Sequence, residues 1–435
     1  MMTAEFLGGS FLRSVNGSII ANALSVGLLL LTQLVLARTL GVEQYGIYAY
    51  AMSWLAVLTL ASKGGMDVAL QRFLPPYIAN GRRGLCIGLL WRAYQVAAGS
   101  GILLAAVALP LTLIIVGRQQ LLWSLVLALV ALPILSAGKI TRGALLALRH
   151  PVAAQVADGL VAPLVILTIA LVAEAGGSVL TAIGALGATW LGAVLALLMG
   201  LWILRRVIPD PFRSAVAEFR TREWLRVSAP LFFVSGMHLI IGYADIVMLG
   251  MIRGTFESGI YAICTRLAAV VALPLMFVNA ALAPYVSELW SVGAKDRLQH
   301  LTTSAVRIGA TLGIPIALLL AVFPEAVLGL FGQAFVAGRL ALTLLIVGQL
   351  VNVGAGPVAL LMTMTGRHWD AAVVITGGAI LNIVLNALLI PRFGMAGAAI
   401  ATAASTILWN AGLAFLAHSR IGINSSVFAI RSRYG

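Results

Sequence analysis

The sequence predicts an all-α, polytopic membrane protein with about twelve transmembrane helices, arranged as two six-helix bundles related by pseudo-twofold symmetry along the membrane normal. Three observations lead there. Of 435 residues, 61% are hydrophobic and only 10% are charged, with a mean hydropathy of +1.04. The hydrophobic pattern also runs twice. Gly46-Ile47-Tyr48-Ala49 returns as Gly259-Ile260-Tyr261-Ala262 and Gly184-Ala185 as Gly397-Ala398, both at an offset of 213 residues. Arg149-His150 returns as Arg367-His368 at 218, and Pro76-Tyr77 as Pro284-Tyr285 at 208. Finally, the basic residues fall on alternate loops.

A bilayer crossing needs about 20 mostly apolar residues. In the first half such stretches run over 15–37, 46–62, 90–116, 121–147, 152–173 and 179–204. In the second they run over 227–250, 258–281, 306–324, 338–365, 371–390 and 396–417, while 63–80 is ambiguous. Only helices or closed barrels satisfy the backbone in lipid. The runs are long and lack the alternation of barrel strands, so they read as helices. Between the halves, 205–226 is polar and holds six arginines with Pro209 and Pro211. The expected organisation is therefore a bundle at 1–204, a cytoplasmic linker at 205–226, and a second bundle with a short tail at 227–435. The linker reads either as a solvated segment with an amphipathic helix on anionic headgroups or as a docking element. Glycines such as Gly99, Gly101, Gly184, Gly187, Gly192, Gly377, Gly378, Gly394 and Gly397 read as helix-packing devices.

The net charge of +14 could suggest a nucleic-acid partner, but its placement argues otherwise. With the N-terminus inside, 22 of the 28 Lys and Arg residues fall on inside loops, five (Arg38, Arg118, Arg253, Arg339 and Arg392) fall outside, and Arg266 lies in a span. That is the positive-inside bias of a multi-pass protein with cytoplasmic termini. No cleavable signal peptide is expected, because Glu5 and Arg13 precede an apolar stretch too long for a signal core. Two cysteines, Cys86 and Cys264, suggest neither a disulfide framework nor a metal site, and no cofactor is implied. An even number of spans per copy inserts both copies the same way round, which places the natural pathway of a transporter between the halves.

Leu40-Gly41-Val42-Glu43-Gln44-Tyr45-Gly46-Ile47-Tyr48-Ala49, followed by Ala69-Leu70-Gln71-Arg72-Phe73-Leu74-Pro75, resembles the opening of bacterial polysaccharide flippases of the multidrug/oligosaccharidyl-lipid/polysaccharide exporter superfamily. Asp245-Ile246-Val247-Met248-Leu249-Gly250, with Gly259-Ile260-Tyr261-Ala262 and Arg266-Leu267, is similar to the start of that family's second half. The resemblance implies translocation of an undecaprenyl-pyrophosphate-linked oligosaccharide across the bacterial inner membrane for exopolysaccharide, capsule or O-antigen synthesis. It implies membrane lipids as surroundings and a monomer, and leaves open contacts with polysaccharide polymerase and export proteins. A multidrug or cation antiporter of the same superfamily is the alternative. A lipid-linked-sugar polymerase or ligase fits less well, because the outside loops are short. No phosphate-binding loop for ATP is present.

A pyrophosphate crossing hydrocarbon needs cations, since an isolated buried charge is very costly. Arginine suits phosphate through its planar, always-protonated fork. The expected substrate path comprises Arg38, Arg72, Lys139, Arg142 and Arg266, with Gln33 and Asn22 in span one as polar partners. Each also has a plainer reading: Arg38 snorkels outward, Arg72 anchors the inner face, and Lys139 and Arg142, on one helical face, snorkel inward. Asp245 and Arg266 lie nine residues before and twelve after Gly254. They are expected to form a structural or gating ion pair across the hairpin, at nearly equal depth. Asn16 reads as a hydrogen-bonding partner of sugar or of a neighbouring helix, His238 as a packing residue or a proton relay, and Asp158 as helix-paired near the inner surface.

Overall fold

The computed structural model describes residues 10–208 and 215–427. The first half contains α1 (Ser10–Lys63), α2 (Met66–Ala79), α3 (Arg83–Ile115) and α4 (Gln119–Ala147), then α5 (Pro151–Gln155), a π-turn over Val156–Leu160, α6 (Val161–Ala175) and α7 (Ala182–Val207). The second contains α8 (Thr221–Ile252), α9 (Thr255–Val270), α10 (Leu273–Ser291), α11 (Lys295–Val322), α12 (Pro324–Gly329), α13 (Arg339–Ala355), α14 (Val358–Met364) and α15 (His368–Leu416). There is no strand among the described residues.

Two of these helices are hairpins. α1 runs through Gly41, whose φ of 68° and ψ of 169° are open to glycine. In a straight helix Gln33 and Tyr45 would stand about 18 Å apart, yet the Tyr45 hydroxyl donates to Gln33 Oε1 at 2.7 Å. The chain therefore reverses at Gly41. α15 reverses likewise at Gly394 (φ 54°), bringing Asn382 Nδ2 to 3.3 Å from Ser405 Oγ. Each hairpin supplies two crossings, and α9 and α10 form one crossing bent by 50°. With those reversals eleven crossings are long and apolar among the described residues, and α8, a helix of 32 residues whose described apolar part is Ile241–Ile252, occupies the place of the twelfth that the sequence predicts. The ambiguous stretch 63–80 becomes α2, which continues the second limb of α1 past a Gly64–Gly65 break rather than adding a span. Several helices also outrun their apolar stretches on the basic side, α3 and α11 by two to three turns, because the solvated turns carry Arg and Lys.

The chain divides into two compact units, Met1–Leu239 and Ile240–Gly435. In the first, Met66, Leu70, Leu89, Ile140 and Leu145 form a core with Trp224, whose indole N–H donates to the Tyr77 hydroxyl at 3.1 Å. Large apolar side chains on the outer surface, such as Ile114 and Ile115, are 81% and 75% exposed. Such a surface is stable only against lipid. Of the glycines expected to pack helices, Gly192 and Gly397 do so: an added Cβ would lie 3.0 Å from Ala162 Cα and 2.4 Å from the Leu389 carbonyl oxygen. Gly99, Gly187 and Gly377 instead face open space.

The linker departs from a purely solvated segment. Residues 215–220 lie along α3, where the Glu218 amide donates to the Gly84 carbonyl at 2.9 Å and Arg92 sits 4.8 Å over the Phe219 ring. Any side chain at Gly88 would strike the Glu218 carbonyl, 1.7 Å from the added Cβ. Arg213 and the side chains of Asn16 and His238 lie outside the described residues.

The duplication extends to individual atoms. Tyr48 and Thr189 pair through their hydroxyls at 3.3 Å, and Tyr261 and Thr402, each 213 residues later, pair at 3.2 Å. The Ala182 amide donates to Gln44 Oε1 at 3.0 Å, and the Met395 amide to Glu257 Oε2 at 3.0 Å, again at the same offset. Gly41 and Gly254 occupy equivalent turns, both with positive φ.

Candidate functional site

Each unit holds a cluster built around a carboxylate of a membrane helix. In the first, α4 presents Lys139 and Arg142, three residues apart and hence on one face. Across the 148–150 turn, Asp158 stands on the π-turn between α5 and α6. A π-turn inserts an extra residue into the helix and re-aims its side chains, and such turns recur at functional sites. Lys139 Nζ donates to both Asp158 oxygens, at 2.7 and 2.9 Å. Arg142 Nε lies 3.4 Å from Asp158 Oδ2 but makes no hydrogen bond there. Two cations thus share one carboxylate, leaving one positive charge in excess. Lys139 and Arg142 remain 39% and 41% exposed, and Asp158 23%. Such accessibility keeps the pair weak, on the order of 1 kcal/mol or less, and therefore exchangeable.

Span one approaches this triad closely. A Cβ on Gly159 would lie 2.8 Å from Ser25 Oγ. Asn22, half-buried, is three residues from Ser25 on the same face of α1. Gln33 is buried and is held by Tyr45. Arg38 is exposed near the Gly41 turn, about 20 Å along α1 from the level of Ser25. Arg72 is exposed on α2. Of the expected path, the structure brings together Lys139 and Arg142, with Asn22 at their level, and leaves Arg38 a membrane half-thickness away. Another carboxylate of this unit, Asp67, receives a 2.6 Å hydrogen bond from Lys63 beside the Gly64–Gly65 break.

The Lys139–Asp158 pairing was within reach of the sequence. The two residues lie ten and nine positions either side of 149, hence at one depth.

In the second unit Asp245, on α8, is 2% exposed. The ion pair expected with Arg266 is replaced by neutral donors. Tyr261 Oη donates to Asp245 Oδ2 at 2.8 Å, Asn386 Nδ2 to Oδ1 at 2.6 Å, and Thr402 Oγ1 also to Oδ2. Asn382 accepts from Asn386 at 3.0 Å and extends the network. The reason is angular. Arg266 shares the depth of Asp245, but it stands five residues beyond Tyr261 on α9, about 140° around the helix. Tyr261 occupies the face turned to Asp245; Arg266, half-buried, points elsewhere. Asn386 and Thr402 come from the two limbs of α15, whose alignment with α8 depends on tertiary packing. A buried carboxylate surrounded only by neutral oxygens and amides can hold a proton or a small monovalent cation. Among the described residues no group of three His, Cys, Asp or Glu could hold a metal ion.

Comparisons with known proteins bear on the family and the fold. The family described as "Polysaccharide biosynthesis protein" matches residues 11–290, and the family MatE matches residues 230–388. An uncharacterized membrane protein of Methanocaldococcus jannaschii is 27% identical over 222 residues, covering 49% of this chain and 43% of that protein. A protein of Haloferax volcanii named "probable low-salt glycan biosynthesis flippase" is 26% identical over 219 residues, covering 49% of this chain and 44% of that one. The chain thus spans less than half the length of these curated relatives. Among solved structures, an inward-facing multidrug resistance MATE family transporter of the MOP superfamily superposes with a TM-score of 0.77 at 13% identity, covering 91% of this chain and 94% of that one. The lipid II flippase MurJ, in an inward closed conformation, superposes at 0.70 and 14%, covering 92% and 87%. At these identities the likeness establishes the fold.

Proposed function

This chain belongs to the polysaccharide biosynthesis protein family, and from that premise we propose that it translocates undecaprenyl-pyrophosphate-linked oligosaccharide across the bacterial inner membrane by alternating access, for exopolysaccharide, capsule or O-antigen synthesis. The relative named as a probable flippase of glycan biosynthesis supports the substrate class. The observation that carries the reading is the triad of Lys139, Arg142 and Asp158, with its excess positive charge and an arginine donor left without a hydrogen bond. A pyrophosphate entering here replaces Asp158 as the partner of both cations. A pyrophosphate brings more than one negative charge against the single charge of Asp158, so under the same screening it competes for both cations. Arg142 grips phosphate oxygens with its fork, Lys139 adds a point charge, and Asp158 recaptures both when the substrate leaves. Arg38, near the opposite end of span one, offers a second cationic stop toward the outer surface. Arg72 and Arg266 remain proposed contributors to the path. In this reading both termini and the linker lie on the cytoplasmic side, where the basic loops gather.

Antiport of a multidrug or simple cation is the second reading, favoured by Asp245. A carboxylate with no cationic partner among its hydrogen-bonding neighbours is suited to exchanging a proton or monovalent cation. In the flippase reading the same residue couples transport to an ion gradient. The first unit weighs against a cation as cargo, since Asp67 and Asp158 there are each held by a lysine.

Binding of purified undecaprenyl-pyrophosphate oligosaccharide to the reconstituted protein is the deciding experiment. Specific binding lost in Arg142→Gln supports the flippase. Absence of binding, together with proton-driven export of organic cations, would replace it with the antiporter.

A further inference from the structure

The second unit contains a cavity apart from the Asp245 cluster, with a mostly apolar wall that carries three carboxamides, and we propose that it binds one neutral, hydroxyl-bearing sugar ring. The cavity has a volume of about 200 Å³ and is walled by Asn279, Asn352 and Asn410, by Trp409, and by Pro357 and Ala359. At about 30 Å³ per water it holds on the order of seven waters, the bulk of one sugar ring and not of a glycan chain.

It sits where two crossings are broken. α9 passes into α10 at Val271–Ala272, and α13 passes into α14 at Gly356, whose φ is 78° and ψ −152°. Irregular backbone at membrane depth is tolerated where it lines a polar cavity. The three carboxamides offer both donors and acceptors, and no lining residue is charged. Two acceptors stand out: Asn279 Oδ1 and Asn410 Oδ1 are buried and have no hydrogen-bond partner, and Asn410 is 0% exposed. No water reaches either oxygen as the side chains stand, and a ligand hydroxyl or amide N–H that draws the carboxamides toward the cavity relieves the cost of leaving these acceptors unsatisfied. Trp409 adds a flat apolar wall suited to the C–H face of a pyranose. A phosphate would find no cation here, and a lone metal ion would be far too small. The assignment rests on the proposed glycan-lipid substrate for its biological meaning, but its chemistry stands apart from the cationic triad.

The test is ligand-observed NMR on the purified full-length protein, with methyl β-glucoside and its N-acetylglucosamine analogue as probes and methyl glucuronide as the charged control. Saturation transfer to the neutral glycosides is expected, at least tenfold weaker for the glucuronide. Filling the cavity with Ala359→Phe should abolish it, and Asn279→Ala should weaken it at least fivefold. The melting temperature reports whether each variant is folded, and undecaprenyl pyrophosphate without sugar is titrated in parallel. If Ala359→Phe does not fold, Asn279→Ala decides. No transfer, equal transfer from the glucuronide, or transfer unchanged in the variants would overturn the site. Glycoside binding without undecaprenyl pyrophosphate binding would remove the flippase reading and leave this site standing.

Discussion

The hydroxyl of Tyr261 donates to the carboxylate of Asp245 at 2.8 Å, while the hydroxyl of its counterpart Tyr48, 213 residues earlier, pairs with that of Thr189 at 3.3 Å. The duplicated tyrosine keeps the same threonine partner in both halves, Thr189 and Thr402. The carboxylate is the addition: Asp245 corresponds to Thr32, whose hydroxyl returns to the Leu28 carbonyl of its own helix at 2.7 Å. One half has acquired a buried carboxyl group where the other has a threonine hydroxyl.

That asymmetry separates structure from transport. Tyr261→Phe removes one donor from a buried carboxylate and should destabilise the protein by about 1.5–3 kcal/mol, read as a lower melting temperature in detergent. Tyr48→Phe should cost no more than about 1 kcal/mol, because its partner is neutral. Asp245→Asn should leave membrane abundance near normal while abolishing transport. Equal thermal losses in the two tyrosine variants would show that Asp245 is not charged in the resting protein.

The triad makes a second prediction. Arg142→Gln should lower export at least tenfold with membrane levels unchanged, and Arg142→Lys should restore part of it, supplying charge without the fork. Asp158→Asn frees both cations, so pyrophosphate-lipid binding should tighten while export slows for want of a competitor at release. Binding that weakens in Asp158→Asn would mean the carboxylate supports the cations rather than competing with the substrate. Arg220→Gln, outside the triad, should leave export unchanged.

The equivalent turns give a third. Gly41 and Gly254 have φ of 68° and 97°, and a Cβ at either meets nothing within 4 Å. Alanine there should cost about 1–3 kcal/mol through backbone strain alone. Similar falls in melting temperature are expected for Gly41→Ala and Gly254→Ala, with no change in substrate affinity. A loss confined to one turn would show that the two hairpins are not mechanically equivalent.

Topology is open to labelling. Both native cysteines, Cys86 and Cys264, are buried at 2% and 0% exposure, so they leave a low background. A cysteine at Gln119 or Gly176 should react with an impermeant maleimide from the periplasm, and one at Arg220 should not. Strong labelling at 220 from outside would invert the proposed orientation.

The sequence by itself determined the class, the twelve crossings and the duplication, because hydropathy and positive-inside charge are written locally along the chain. It also determined depth. Counting residues from a turn places Asp245 level with Arg266, and would equally have placed Lys139 level with Asp158. Depth is one coordinate of three. The direction a side chain takes around its helix, and which helix stands there to meet it, depend on packing between segments far apart in sequence. Asp245 therefore meets Asn386 and Thr402, 141 and 157 residues away, and Arg266 turns off a different face. The helix breaks that open the carboxamide cavity, and the packing of the linker against Gly84 and Gly88, likewise follow from tertiary contact. A continuous apolar run reads the same whether the helix within it is straight, bent or interrupted, so only the folded chain decides among them.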